Sequence, residues 1–304
     1  MTLEKIRWFQ MAFQLKGSVV SSIYQRVLWC GLFGFIISVL HYLEWPVSKP
    51  MIGTILPSLV LGLLLVFRTN TAYERFWEGR RCWGNLVNTT RNLARQVWVT
   101  INEKSPEDRE NKIATLRLII AFSVATKLHL RGERENQELK QLMSNARYNE
   151  LSTIENLPLE VAFWISDYLQ EQYNRDCLHT YQLINLQELL NILVDNLGSC
   201  ERILKTPMPL AYAIHLKQLL LVYCCLLPLQ VVDTLGWWTG FMVAVVSFTV
   251  FGVEAIGLEI ENPFGYDDND LPLDAICNTI KHNIEDLITT QSNAARSLQD
   301  SIAN

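Results

Sequence analysis

Four apolar runs constrain the fold more than any other feature of the chain. Each is 17 residues long, near the lower limit for a helix that spans a membrane. The four runs are Val27–Leu43, Met51–Phe67, Leu216–Val232 and Trp237–Val253, with Lys217 as their one charged residue. This pattern predicts four transmembrane helices in two hairpins. The alternative is two buried helical hairpins in the core of a large soluble protein.

The distribution of positive charge predicts the orientation of these helices. The segment before the first run is basic, and six arginines follow the second run: Arg68, Arg75, Arg80, Arg81, Arg91 and Arg95. The links within the two hairpins contain one positively charged residue, Lys49. Because positive residues stay on the cytoplasmic side, both termini and the long middle region are predicted to be cytoplasmic.

Composition and helical periodicity together predict the domain organisation. Hydrophobic residues make up 49% of the chain and charged residues 19%, which is too polar for a protein that lies wholly in lipid. Apolar residues in the middle region recur at helical spacing, and strand signals are weak, so we predict an all-α fold. The predicted parts are an N-terminal cytosolic segment (1–26), a membrane hairpin (27–67), a cytosolic helical region (68–215), a second hairpin (216–258) and a cytosolic acidic turn, helix and tail (259–304).

Several classes of function are disfavoured by what the sequence contains. The net charge is −5 and no long basic run occurs, so a nucleic-acid partner is not expected. No glycine-rich phosphate loop or catalytic motif is present, so no catalytic residue is predicted and the protein is not expected to be an enzyme. The seven cysteines form no CxxC pair, and they are interpreted as small, mostly buried side chains in a reducing compartment.

Two sets of side chains in the membrane runs are candidates for an ion path. Leu59, Leu63 and Phe67 are spaced by four residues, so they lie on one face of a helix. They either pack against a neighbouring helix or, if several copies surround an axis, form an apolar collar that closes a pore by dewetting. Glu254 and Glu261 also share a helical face, and they belong either to a solvated helix end or to a negative ring at the mouth of a water-filled path.

The segment Glu261–Asp270, ENPFGYDDND, predicts a sharp turn after the fourth run. Asn262-Pro263 stops the helix, and Gly265 permits the turn. The aspartates that follow either cap the next helix or, with backbone oxygens, form a site for a hard cation such as calcium. Their spacing does not match an EF-hand loop.

Three motifs resemble the bestrophin family, and two of them resemble its bacterial branch. NPFGYDDNDLPLD, at 262–274, is similar to the family signature. FRTNTAYERFWEGRRCWG at 67–84 and GSCERILKTPMPLAY at 198–212 resemble the bacterial members. The resemblance covers essentially the whole chain, in order.

The resemblance implies a homopentameric, mostly helical ion channel with one pore on the five-fold axis. It implies an apolar neck at Leu59, Leu63 and Phe67 and a second, cytosolic constriction at Tyr181 or His179. It also implies a multi-pass protein of the bacterial inner membrane, whose partners are its own copies, membrane lipid and small inorganic ions.

Calcium regulation and ion selectivity are further implications of the resemblance. Calcium-gated animal members hold the ion at an acidic turn, whose side-chain positions match Asn262, Asp267 and Asp270; Tyr266 replaces an acid there. No other cofactor is implied. Animal and plant members pass chloride and other anions, which is the function expected here. The alternatives are a monovalent-cation channel of the same architecture and a non-conducting membrane scaffold.

Overall fold

The computed structural model describes residues 10–11, 13–49, 55–134, 137–151 and 154–303, and the side chains of these except 55–57 and 291–303. All regular secondary structure in this part of the chain is helical, which confirms the predicted all-α class. The α-helices are α1 (Val20–Tyr42), α2 (Ile55–Thr100), α3 (Pro106–Arg131), α4 (Gln137–Lys140), α5 (Asn145–Leu151), α6 (Leu157–Asn174), α7 (Thr180–Lys205), α8 (Leu210–Leu235), α9 (Thr239–Glu259) and α10 (Leu273–Ala303).

The helices divide into two compact units. The first unit contains residues 1–77 and 206–270, and the second contains 78–205 and 271–304. The predicted boundaries at 67/68 and 215/216 lie about ten residues from these divisions, because α2 and α8 continue past the ends of the apolar runs. Helix α2 has 46 residues, belongs to the first unit up to Trp77 and continues as one helix into the second.

In the first unit, α1 packs along α9 at a glycine contact. A Cβ atom on Gly240 would lie 3.0 Å from the carbonyl oxygen of Gly31 and 3.0 Å from the backbone nitrogen of Phe35. The absence of a side chain at Gly240 therefore lets the two backbones approach closely, as small residues do between membrane helices. The Ser38 hydroxyl donates to the carbonyl oxygens of Gly34 (3.1 Å) and Gly236 (3.0 Å).

The core of the first unit joins four helices through apolar side chains. Helix α2 contributes the buried Leu61 and Leu65, which lie on one face of the helix. The other buried members are Ile23, Leu216, Leu220, Cys224, Phe251 and Ala255 from α1, α8 and α9. Packing of this face fixes the rotation of α2 about its own axis, because the residues at 61 and 65 must point inward.

Three helical stretches of the described residues are long and apolar enough to cross a membrane: Val20–Tyr42, Pro106–Arg131 and Leu210–Glu259. The third stretch contains α8 and α9, which a 3₁₀ turn at Gly236–Trp238 separates. The predicted run Met51–Phe67 is not among the three, and its residues 51–54 lie outside the described part of the chain.

Helix α3 was predicted to be cytosolic, and its apolar composition has a packing explanation. It is the central helix of the second unit, where α6 and α10 pack against it. Of its most apolar stretch, 78% is buried within the protein, compared with 22% for α1. A helix that is apolar all round and surrounded by protein is a core helix, whereas an apolar helix left exposed needs another apolar environment.

Candidate functional site

The predicted neck residues form an exposed apolar stripe on α2. The exposed fractions are 58% for Leu59, 51% for Leu63 and 62% for Phe67. Helical spacing puts the three side chains one above another, since each is four residues after the last. Leu61 and Leu65, two residues after Leu59 and Leu63, are buried on the other side of the helix. The subunit therefore covers one face of α2 and leaves the stripe uncovered.

Arg68 immediately follows the stripe but points into the first unit. Its exposed fraction is 2%, and it is in helical phase with the buried Leu61 and Leu65. Its side chain lies against Gly257 of α9, where an added Cβ would be 3.4 Å from the Arg68 Nε atom. Glycine at this position leaves room for the guanidinium group on the surface of α9.

Two carboxylates of the first unit lie on either side of the Arg68 guanidinium group. Its Nη1 atom lies 3.9 Å from Glu254 Oε1, and its Nη2 atom lies 3.6 Å from Glu261 Oε2. Arg26 approaches the same cluster, with 3.6 Å between its Nη1 atom and Glu254 Oε2. The backbone N–H of Met208 donates to Glu261 Oε1 at 2.9 Å. We call Arg26, Arg68, Glu254 and Glu261 the arginine–glutamate cluster.

The position of Glu254 differs from the expectation of a carboxylate that faces water. Its exposed fraction is 1%, so within the subunit it does not border open solvent. A buried carboxylate requires a compensating charge, and Arg68 and Arg26 supply it. Glu261 is partly exposed but directs one oxygen toward Arg68. A role for either glutamate in the ion path stays a prediction.

A hydrogen bond ties α8 to α2 beside the stripe. The Tyr212 hydroxyl donates to the carbonyl oxygen of Leu64 at 2.5 Å. A second tie is made by Arg75, whose Nε atom donates to the carbonyl oxygen of Glu261 at 3.1 Å. Together with the arginine–glutamate cluster, these contacts fix the position of α2 along its own axis and its rotation about that axis within the first unit.

The two candidates for the cytosolic constriction lie in the second unit, at the start of α7. Tyr181 is in the first turn of the helix with an exposed fraction of 87%, and the preceding His179 is also exposed. The backbone N–H of His179 donates to the Gln182 side chain at 3.0 Å. The subunit leaves both side chains uncovered, so their exposure does not distinguish them.

The acidic turn satisfies much of its own backbone. The N–H of Asp267 donates to Asp270 Oδ2 at 2.8 Å, and the N–H of Phe264 donates to Asn262 Oδ1 at 3.4 Å. The side chains of Asn262 and Asp270 both approach Gly265, where a Cβ would lie 2.7 Å from Asp270 Oδ2. Gly265 is therefore needed for the close approach of the Asp270 carboxylate.

This arrangement fits a self-capped turn better than a preformed calcium site. Oxygens of two of the three predicted ligands, Asn262 and Asp270, already accept backbone N–H groups. Among the described residues, no group of three or more His, Cys, Asp or Glu side chains has the geometry of a metal site. Calcium binding at Asn262, Asp267 and Asp270 stays a prediction.

Sequence patterns missed the structural role of Arg68. In the sequence, Arg68 is the first of six arginines that follow the second apolar run, and there it contributes only to the predicted orientation of the membrane helices. The helical spacing of Arg68 could have indicated this role, because Arg68 comes three residues after Leu65 and seven after Leu61 and so lies on the same face of the helix. A charged residue in phase with the buried face of a helix needs a buried partner, and Glu254 is the first acidic residue after the fourth apolar run.

Comparison with known protein families identifies one match along most of the chain. The family model described as Bacterial/Fungal Bestrophin protein matches residues 1–286.

Curated relatives share much of this sequence. The chain is 67% identical over 293 residues to a voltage-dependent anion channel-forming protein of Nostoc sp., a match that covers 96% of this chain and 95% of the relative. It is 53% identical over 281 residues to a protein of the same description from Synechocystis sp., with 92% of each chain covered.

Solved structures share the fold. A crystal structure of a bacterial bestrophin homologue from Klebsiella pneumoniae superposes with a TM-score of 0.80 at 28% sequence identity. The match covers 88% of this chain and 98% of that chain.

Because Glu254 is buried in the arginine–glutamate cluster, we predict that its substitution strongly lowers the stability of the protein. Glu254→Gln removes one of the two carboxylates beside Arg68, and breaking a buried ion pair costs on the order of 3 kcal/mol. We expect the melting temperature of the detergent-solubilised protein, followed by tryptophan fluorescence, to fall markedly. The matched control is Glu74→Gln, because Glu74 is exposed on α2. Equal melting temperatures for the two variants would contradict a structural role for the cluster.

Proposed function

The chain belongs to the bacterial and fungal bestrophin family, and from that premise we propose that it forms a passive pentameric channel for small anions. The observation that supports this proposal most directly is the exposed stripe of Leu59, Leu63 and Phe67 on a helix whose opposite face is buried. Three apolar side chains held in line on a fixed helix are suited to surround a narrow axis when copies of the subunit assemble.

The protein is a membrane protein, and we propose four spans per subunit. Helices α1, α8 and α9 supply three apolar spans, and the N-terminal part of α2 supplies the fourth. The uncharged segment from Ile55 to Phe67 supports this assignment. The positive-inside rule favours cytoplasmic termini, and the bacterial relatives favour the inner membrane.

The proposed neck closes the pore by excluding water. Five copies of the stripe would make an apolar ring at each of three levels, and a narrow apolar constriction opposes ion passage when water leaves it. An apolar neck carries no charge that selects the sign of the ion. In the second unit, Tyr181 or His179 is proposed to form a further constriction.

Anion selectivity is favoured by the descriptions of the relatives and by the arginine–glutamate cluster. The relatives from Nostoc sp. and Synechocystis sp. are described as anion channel-forming proteins. Glu254 and Glu261, which would favour cations as a free negative ring, lie beside Arg68 and Arg26. Within one subunit these two arginines balance the charge of the two glutamates, so the cluster carries no net negative charge that would favour cations over chloride. A passive path of this kind requires no enzymatic turnover.

Reversal potentials in a salt gradient test the proposed function. Purified protein is fused into planar lipid bilayers with a higher potassium chloride concentration on one side. We expect a reversal potential close to the equilibrium potential of chloride. A reversal potential close to that of potassium would overturn anion selectivity, and bilayers without current would overturn the channel itself.

Truncation of the neck tests the stripe. Leu63→Ala and Phe67→Ala each widen the proposed constriction and ease its wetting, so we expect chloride flux into liposomes to rise. A tenfold rise corresponds to a barrier lower by about 1.4 kcal/mol. The control is Leu221→Ala, which truncates an exposed leucine on α8. If neither neck variant differs from the control, the stripe does not form the neck.

Calcium binding at the acidic turn is a separate proposal. Asp270 Oδ2 accepts the Asp267 N–H, so the ion would bind the other carboxylate oxygen or take the place of this hydrogen bond. If the site exists, calcium titration by isothermal calorimetry gives a binding signal that Asp267→Asn abolishes. The control is Asp268→Asn, which removes a neighbouring charge outside the proposed ligand set. Absence of a signal from the unsubstituted protein would rule out the site.

A further inference from the structure

Helices α2 and α7 lie antiparallel in the second unit, joined by three polar side-chain pairs. The distances are 2.7 Å for the first pair, 3.3 Å for the second and 2.8 Å for the third. In order along α2, the pairs are Glu78–Arg202, Asn85–Asn196 and Gln96–Asn185. Residue numbers rise along one helix as they fall along the other, so the register between the two helices is defined at three levels.

Cys82 and Cys200 face each other between the first two of these pairs. Cys82 lies one turn after Glu78, and Cys200 lies one turn after Asn196, so the register places the two cysteines opposite each other. Their side chains are within hydrogen-bonding reach. Both are free thiols in this structure.

The two thiols differ in exposure and in charge environment. Cys82 is partly exposed, whereas Cys200 is buried. The hydrogen bond with Cys200 lowers the pKa of the Cys82 thiol; burial and the Glu78 carboxylate oppose this effect, and Arg202 and Arg81 reinforce it. The hydrogen bond with Cys82, together with burial, raises the pKa of Cys200. A reactive thiolate beside a buried second thiol is the arrangement found at redox-sensitive cysteines.

We propose that Cys82 and Cys200 form a redox-active dithiol, which a peroxide or a low-molecular-weight disulfide converts into an intrachain disulfide that crosslinks α2 to α7. The register set by the three polar pairs places the two cysteines opposite each other on adjacent helices, and the disulfide requires their sulfurs to approach to about 2 Å by side-chain rotation. The proposal concerns the second unit alone and holds whether or not the protein conducts ions.

With a peroxide as oxidant, the reaction proceeds in two balanced steps. The Cys82 thiolate attacks one peroxide oxygen, the oxygen–oxygen bond breaks, and Cys82 becomes a sulfenic acid while the other oxygen takes up a proton from solvent and leaves as water or an alcohol. The Cys200 sulfur then attacks the Cys82 sulfur, the sulfur–oxygen bond breaks, and water leaves with the thiol proton. The two sulfurs are oxidised and the peroxide is reduced.

A second cysteine pair in the first unit provides an internal comparison. Cys30 and Cys224 are also within hydrogen-bonding reach. Cys224 belongs to the core cluster of the first unit, whose members are apolar, and Cys30 packs against it. Because Cys30 and Cys224 lie among apolar side chains of the proposed membrane spans, a polar oxidant reaches them less readily than it reaches Cys82, and this pair is expected to react more slowly.

Mass spectrometry of the oxidised full-length protein tests the proposal. The protein in lipid nanodiscs is reduced, treated with hydrogen peroxide or oxidised glutathione, blocked with N-ethylmaleimide and digested without reduction. We expect a crosslinked peptide that contains Cys82 and Cys200, formed at oxidant concentrations that leave Cys30 and Cys224 as thiols. The crosslink also raises the melting temperature, by on the order of 5 °C, because it restricts the unfolded chain.

Serine variants separate the roles of the two cysteines. In Cys200→Ser, oxidised glutathione is expected to stop at a mixed disulfide on Cys82, whereas in Cys82→Ser it leaves Cys200 unmodified. Cys225→Ser is the matched control, because Cys225 is exposed and belongs to neither pair, and it should leave the crosslink unchanged. Recovery of Cys82 and Cys200 as separately blocked peptides from the unsubstituted protein, even at the highest oxidant concentration at which the protein stays folded, would overturn the proposal.

Discussion

The packing of α2 by one face is the constraint on which the rest of the first unit depends. Leu61, Leu65 and Arg68 point into the core, and this fixes the direction of every other side chain on the helix. Leu59, Leu63 and Phe67 are left outside because the period of the helix requires it. The stripe is therefore a consequence of where the core lies, and changes in the core would rotate it.

The buried arginine makes this orientation specific. Apolar packing alone tolerates small rotations of a helix, since one leucine can replace another in a contact. Arg68 does not tolerate them, because a rotation that separated it from Glu254 and Glu261 would leave buried charges uncompensated. The same ion pairs place an arginine beside each of the two acidic groups. One cluster thus serves both the orientation of α2 and the charge balance next to the proposed pore.

Sequence patterns predicted the helical class, the apolar segments of α1, α8 and α9, and the start of α10 at the acidic turn. These features depend on local composition and spacing, which a sequence displays directly. The apolar character of α3 was assigned to a cytosolic helix, although composition alone cannot distinguish a core helix from a spanning one.

The partners of Arg68 and the meeting of Cys82 with Cys200 were missed, because each joins residues more than a hundred positions apart. The cysteines had been interpreted as separate packing residues, and only the register of α2 against α7 brings the pair together.

The proposed channel requires the stripe of α2 to face a water-accessible axis in the assembled protein. The most direct measurement is modification of a Leu63→Cys variant by a charged methanethiosulfonate reagent during recording of chloride current. We predict that the reagent reduces current through the variant and leaves current through the unsubstituted protein unchanged, as a side chain in the ion path requires. Complete labelling of the introduced cysteine with no change in current would contradict it, because the side chain would then face lipid or a subunit contact and not the ion path.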